Sequence, residues 1–220
     1  GIVHFFLGWT FLSLSQQQVG AATTGAVLGS TPLIGSLLAA IVLAEPLRPL
    51  TAVGILLATV GVPLLSLRRT ASPQRKMPWF ALGAAASWGS SPLFIRWGLA
   101  DLDDPIVGVT FGLLAATAVY AVALALWRRR RPAEPISREG LAWVTAAGVL
   151  VAACIALQWI AFDRTAVAVA ITVMQLSAPA VVTVAPLIVK SATERPPPSV
   201  ILGMAAVLCG SVVVVLAGTG

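Results

Sequence analysis

"AEPLRPLTAVG", residues 44–54, interrupts an apolar run with a carboxylate, an arginine and two prolines. The same punctuation returns as "TERPPPSVILG", residues 193–203. A shift of 149 places Glu45, Pro49, Gly54 and Gly61 on Glu194, Pro198, Gly203 and Gly210. One helix earlier, a shift of 147 places Ser30 and Pro32 on Ser177 and Pro179. Each copy is therefore a Ser-x-Pro segment, an acidic turn with proline, and a segment with glycines seven apart. Glycine, alanine and proline abound here, so no single identity carries weight. Their shared order, spacing and position at the edges of apolar runs mark an internal repeat.

The background to those turns is oil. Of 220 residues, 58% are hydrophobic and only 10% charged, with a mean hydropathy of +0.95. Soluble domains carry about 25% charged residues, and roughly 20 apolar residues in a helix cross a bilayer. The chain reads as an integral membrane protein. Apolar runs bounded by charge, proline or glutamine give eight expected helices, over 1–15, 19–43, 50–67, 78–99, 105–127, 139–162, 166–189 and 199–217. A bilayer leaves no partner for the backbone amides of an open sheet, and no ten-residue alternation suggests a barrel. The expected fold class is all-α, a polytopic helix bundle with short connections. The opening "GIVHFFLGWTFLSLS" lacks the basic region of a secretory signal and reads as a spanning helix.

Helices one to three of this count match helices six to eight. An offset of five is odd, so the two copies cross the membrane in opposite senses. Inverted repeats of this kind characterise secondary transporters, with the substrate site where the halves meet. The second copy also has helices 78–99 and 105–127, which lack counterparts. Two further helices are therefore expected before Gly1, completing five plus five. On this reading residues 1–67 are the last three helices of a first repeat, 68–77 a basic linker, and 78–217 a complete second repeat.

Three stretches resemble the EamA-type branch of the drug/metabolite transporter superfamily. "LGSTPLIGSLLAAIVLAEPLRPLTAVGILLATVGVPLL" resembles the end of an EamA repeat, and "WFALGAAASWGSSPLFIRWGL" resembles its opening. "AVAVAITVMQLSAPAVVTVAPLIV" followed by "TERPPPSVILGMAAVLCGSVVVVLAG" resembles the closing half again. The resemblance implies a ten-helix fold of two inverted repeats that moves small metabolites or drugs. It names no cargo, because members differ widely in substrate.

The eight acidic residues, Glu45, Asp101, Asp103, Asp104, Glu134, Glu139, Asp163 and Glu194, all lie in or beside connections. A carboxylate at mid-membrane is costly and usually functional. The lack of one here disfavours a proton-coupled cation exporter and favours a carrier of neutral or zwitterionic metabolites, such as amino acids or related compounds. No enzyme is expected, since His4 is the only histidine and no triad, metal cluster or phosphate loop is visible. No cofactor is expected, and Cys154 and Cys209 read as small core residues.

Pathway candidates follow from polar atoms near the expected midplane. Gln175 and Ser177 precede Pro179, as Thr23, Thr24, Ser30 and Thr31 precede Pro32. Prolines within a helix free backbone carbonyls, so Pro32 and Pro179 are expected to bend two related helices along the pathway. Trp88, with Ser90 and Ser91 in "SWGSS", offers an indole and hydroxyls for a flat metabolite. Trp79, Trp97, Trp127, Trp143 and Trp159 read as interfacial anchors. Gly25 and Gly29 form a small face for packing within the bundle, or for a homodimer. Glu45, Pro49, Glu194 and Pro198 are assigned to structural turns, and His4 to a helix or boundary position. The expected central site is lined by helices 19–43, 78–99, 139–162 and 166–189.

Eleven of the fourteen Lys and Arg fall on connections 68–78, 128–139 and 190–198, leaving Arg48, Arg96 and Arg164 on the other face. Charge bias then puts the C-terminus outside, whereas the family resemblance implies both termini inside. The basic loops read as topology signals facing lipid headgroups, so no nucleic-acid partner is expected. The expected partners are a small-molecule substrate and the lipid bilayer, in a plasma or inner membrane. Two functions stay open: a metabolite permease working by alternating access, or a non-transporting membrane protein, either an assembly partner or an inactive remnant.

Overall fold

A computed structural model describes residues 1–66, 78–102, 104–128, 137–189 and 198–218. The expected basic linker and Glu194 lie outside these residues. Among the described residues every regular element is helical. A π-helical turn, Ile2–Gly8, runs into α1 (Trp9–Leu28), followed by α2 (Thr31–Val42) and α3 (Pro49–Ser66). Then come α4 (Trp79–Leu102), α5 (Pro105–Arg128), α6 (Arg138–Arg164), α7 (Val167–Val173), α8 (Ser177–Val189) and α9 (Pro198–Gly218). Five described stretches are long and apolar enough to cross a membrane: Thr23–Val42, Pro105–Leu126, Arg138–Arg164, Val167–Val184 and Pro198–Gly218. The all-α membrane bundle is as expected.

The acidic connections start helices. The Asp104 carboxylate accepts the backbone N–H groups of Ile106 at 2.8 Å and Val107 at 3.3 Å. Pro105 opens α5, where its missing N–H costs nothing. Ser137 accepts the Gly140 N–H at 3.0 Å, with Glu139 in the first turn of α6. Such caps satisfy amides that the helix leaves unpaired, each worth about 1 kcal/mol.

Two expected helices are broken. Gln16, Gln17 and Gln18 stay helical and exposed, and the chain turns instead at Gly20, whose φ of +83° requires glycine. The helix expected over 19–43 is interrupted again at Gly29–Ser30 and resumes as α2. The one expected over 166–189 becomes α7, a 3-10 turn at Met174–Leu176, and α8. Pro32 and Pro179 each follow directly on one of these breaks, near the start of α2 and of α8. Under the shift of 147, Gly20 falls on Val167, the start of α7, and Ser30 on Ser177, the start of α8. The two copies are thus broken at matching places.

The paired glycines explain the longest helix contact. A methyl group on Gly54 would come within 2.7 Å of the Gly210 carbonyl oxygen, and one on Gly61 within 2.9 Å of that of Gly203. Helices α3 and α9 therefore run antiparallel with backbones in contact. Gly54 is the repeat equivalent of Gly203, and Gly61 of Gly210, so each glycine meets the equivalent of the other. That reciprocity is the contact pattern of a two-fold axis. Gly35 and Gly89 bring α2 against α4 in the same way, with Ile171 of α7 also packed on Gly35.

A core cluster joins Phe5, Ile95, Leu99, Val109, Ile155, Trp159, Phe162 and Ile171. Trp159 is therefore a core residue, 5% exposed, and not the interfacial anchor expected. Trp79, Trp97 and Trp143 are exposed, as anchors should be. Only Ile155, Trp159 and Phe162 of α6 are buried, so the first half of that helix does not line the described interior. Cys154 and Cys209 are exposed on their helices and are not core residues. Gly29 packs on Val62 and Pro63 of α3, the bundle contact expected of it.

Candidate functional site

Three polar clusters interrupt the apolar interior. The first surrounds His4 on the π-helical turn. Wider winding leaves carbonyls there open to side chains. The Trp88 indole N–H donates to the His4 carbonyl at 3.1 Å, and the Tyr120 hydroxyl lies 3.4 Å and 3.3 Å from those of Phe5 and Phe6. The His4 ring nitrogen Nδ1 sits 2.6 Å from the Ser91 hydroxyl, with both residues buried. Trp88 stacks edge-on against Trp9 at 5.8 Å and fills space left by Gly8. Ser90 turns back to the Ser87 carbonyl at 3.3 Å. Trp88 and Ser91 are brought together, and their organiser is His4, which sequence reasoning set aside. Its one signal was an imidazole in an apolar run.

The second cluster lies at the helix breaks. Thr24 is fully buried and donates to the Gly20 carbonyl at 2.8 Å, leaving the Ser15 hydroxyl to donate to Thr24 at 2.7 Å. It clasps the turn. Ser30 donates to the Val27 carbonyl at 2.7 Å, while Pro32 and Pro179 are buried and Ser177 is exposed. Gln175 lies in the 3-10 turn, and its side-chain nitrogen is buried with no hydrogen-bond partner. The hydroxyls of Thr31 and Ser36 on α2 are also buried and unpartnered. Thr31 is among the polar residues noted beside Pro32, whereas Ser36 was not singled out from sequence, because a serine in an apolar helix looks like packing.

The third cluster gathers on the turn quoted at the outset. Pro49 and Pro198 open α3 and α9 as expected. Glu45 does more than turn the chain: its carboxylate accepts the Val167 N–H at 2.9 Å and lies 3.4 Å from the Arg96 guanidinium. Arg96 also donates to the Thr165 carbonyl at 2.6 Å, and Arg48 to the Ala217 carbonyl at 3.1 Å. Glu45 and Arg48 also line a cavity of about 140 Å³, together with Ser36, Thr51, Ala166 and Val169. No group of His, Cys, Asp and Glu able to hold a metal occurs among the described residues.

The sequence matches the model of the EamA-like transporter family over residues 1–67 and 75–216. The chain belongs to the EamA-like transporter family. This EamA-like chain is also similar in fold to a solved crystal structure. The likeness covers 99% of this chain and 75% of that one, at 21% identity and a TM-score of 0.75. No curated protein matches the chain.

Proposed function

We propose that this EamA-like protein carries a small organic metabolite, such as an amino acid or a related compound, across a cell membrane by alternating access between inverted repeats. The observation that carries this reading is the match to a transporter family over residues 1–67 and 75–216. The reciprocal glycine seam and the matching helix breaks support the inverted relation of the halves. Broken helices at membrane depth are tolerated where they face protein or a wet cavity, and transporters commonly bind substrate there.

The pathway on this proposal runs between the two broken helices and α4. Gln175, Thr31 and Ser36 supply buried hydrogen-bonding groups that no protein atom uses. Trp88 and Ser91 form a second polar wall through His4. Ser30, Thr24, Pro32 and Pro179 act by setting the breaks, and Ser177 faces outward. An unpaired buried donor costs about 1–3 kcal/mol, a cost that a polar solute or water removes when it enters.

The test is a comparison of intracellular and extracellular metabolites with and without overexpression, alongside Gln175→Ala. A small set of metabolites should redistribute with the wild-type protein and markedly less with the variant. Identical profiles in all three conditions would count against transport.

A further inference from the structure

The Glu45 cluster joins the repeats to each other. Glu45 and Arg48 belong to the α2–α3 turn, while Arg96, Thr165, Val167 and Ala217 belong to the second repeat. Three of these polar links cross the boundary between the halves, and the fourth, Arg96 to Thr165, holds the Arg96 guanidinium in place within the second repeat. The α3–α9 seam crosses it too, but through backbones in contact, which cannot slide without collision. Relative motion of the halves must be taken up away from that seam, at joints whose contacts water can replace. Glu45 and Arg96 qualify, with side chains 17% and 32% exposed. Ion pairs so placed exchange readily with solvent.

Backbone and cavity agree with such a joint. Ala44 adopts φ +54°, a left-handed conformation rare outside glycine, immediately before Glu45. Strain of this kind gathers at switching segments and persists only when neighbours hold it. Ser36, 2% exposed with its hydroxyl unpartnered, shares the wall of the 140 Å³ cavity with Glu45.

We propose that Glu45 and Arg96 form an inter-repeat latch that closes one end of the transport pathway over the Ser36 cavity, and that the latch opens to admit solute there. The inference rests on the transporter reading for its purpose, but its test needs no substrate. Ser36→Cys is placed in a Cys154→Ser, Cys209→Ser background and purified into nanodiscs, where both faces meet solvent. Labelling by a membrane-impermeant maleimide is then timed. Thr51→Cys, on the same cavity and 6% exposed, serves as a second reporter. Ser211→Cys, 2% exposed against α7, is the control.

Glu45→Ala and Arg96→Gln should each speed labelling at positions 36 and 51 by roughly tenfold, the scale of a lost charged hydrogen bond. Labelling at position 211 should stay slow. Glu45→Gln, which keeps an acceptor for Val167 but drops the charge, should fall between. Unchanged rates at positions 36 and 51 would overturn the latch, and so would equal acceleration at position 211, which means general loosening. Either result leaves metabolite redistribution as a separate test of transport.

Discussion

His4 and Ser91 stand 87 positions apart in the chain, with Nδ1 2.6 Å from the hydroxyl oxygen. Each is the buried polar partner that the other needs. The pair fixes the π-helical turn to α4, and through the Trp88 indole it fixes the same turn twice.

Removing one member strands the other. Ser91→Ala or His4→Leu should each destabilise by about 1–3 kcal/mol, the usual cost of leaving a buried polar group unpaired. The double variant should lose less than the sum of the two. Thermal or denaturant unfolding in mild detergent measures all three, and strictly additive losses would show that the contact carries no coupling.

The glycine seam admits no side chain. Gly54→Leu or Gly210→Leu drives atoms into the opposing backbone and should cost about 3 kcal/mol or more. Gly98→Leu, in α4 where a side chain meets open space, is the matched control and should leave the melting temperature unchanged or slightly raised. A seam variant as stable as that control would mean that the backbones are further apart than described.

Gly20 and Gly148 separate backbone freedom from packing, since an added methyl group meets nothing at either position. Gly20 sits at φ +83°, so Gly20→Ala should destabilise by about 1–3 kcal/mol through strain alone. Gly148 is helical, so Gly148→Ala should stabilise by about 0.5–1 kcal/mol. Unfolding midpoints that move in the same direction would contradict the turn at Gly20.

Asp104 predicts a local effect. Asp104→Ala should speed hydrogen exchange at Ile106 and Val107 and cost about 1 kcal/mol, while Asp104→Asn should retain most of the cap. Unaltered exchange in the alanine variant would remove Asp104 from the cap.

Much of this was legible in the chain. Glycines seven residues apart after a proline turn, twice over, announced the internal repeat whose two copies meet in the α3–α9 seam. Acidic residues confined to connections marked where helices end and start, and Asp104 indeed stands at the start of α5. Less legible was the interior. Trp159 looks like an anchor because it stands near a helix end, yet Ile95, Leu99 and Phe162 close over it. Position along one helix says little about which face its neighbours cover. Helix breaks do lie beside Pro32 and Pro179, at Gly29–Ser30 and Met174–Leu176, whereas the further break at Gly20 had no proline to mark it.

The turn at residues 44–54 divides what each level decided. The sequence by itself determined the membrane-buried helical class, the family resemblance and the duplicated punctuation, because composition and spacing are local properties of the chain. Only the tertiary structure decided that Gly54 meets Gly210, that His4 needs Ser91, and that Glu45 reaches Arg96 and Val167. Those partners lie tens to more than a hundred residues away. A carboxylate in a turn looks the same whether it faces water or the other half of the molecule, and packing alone tells the two apart.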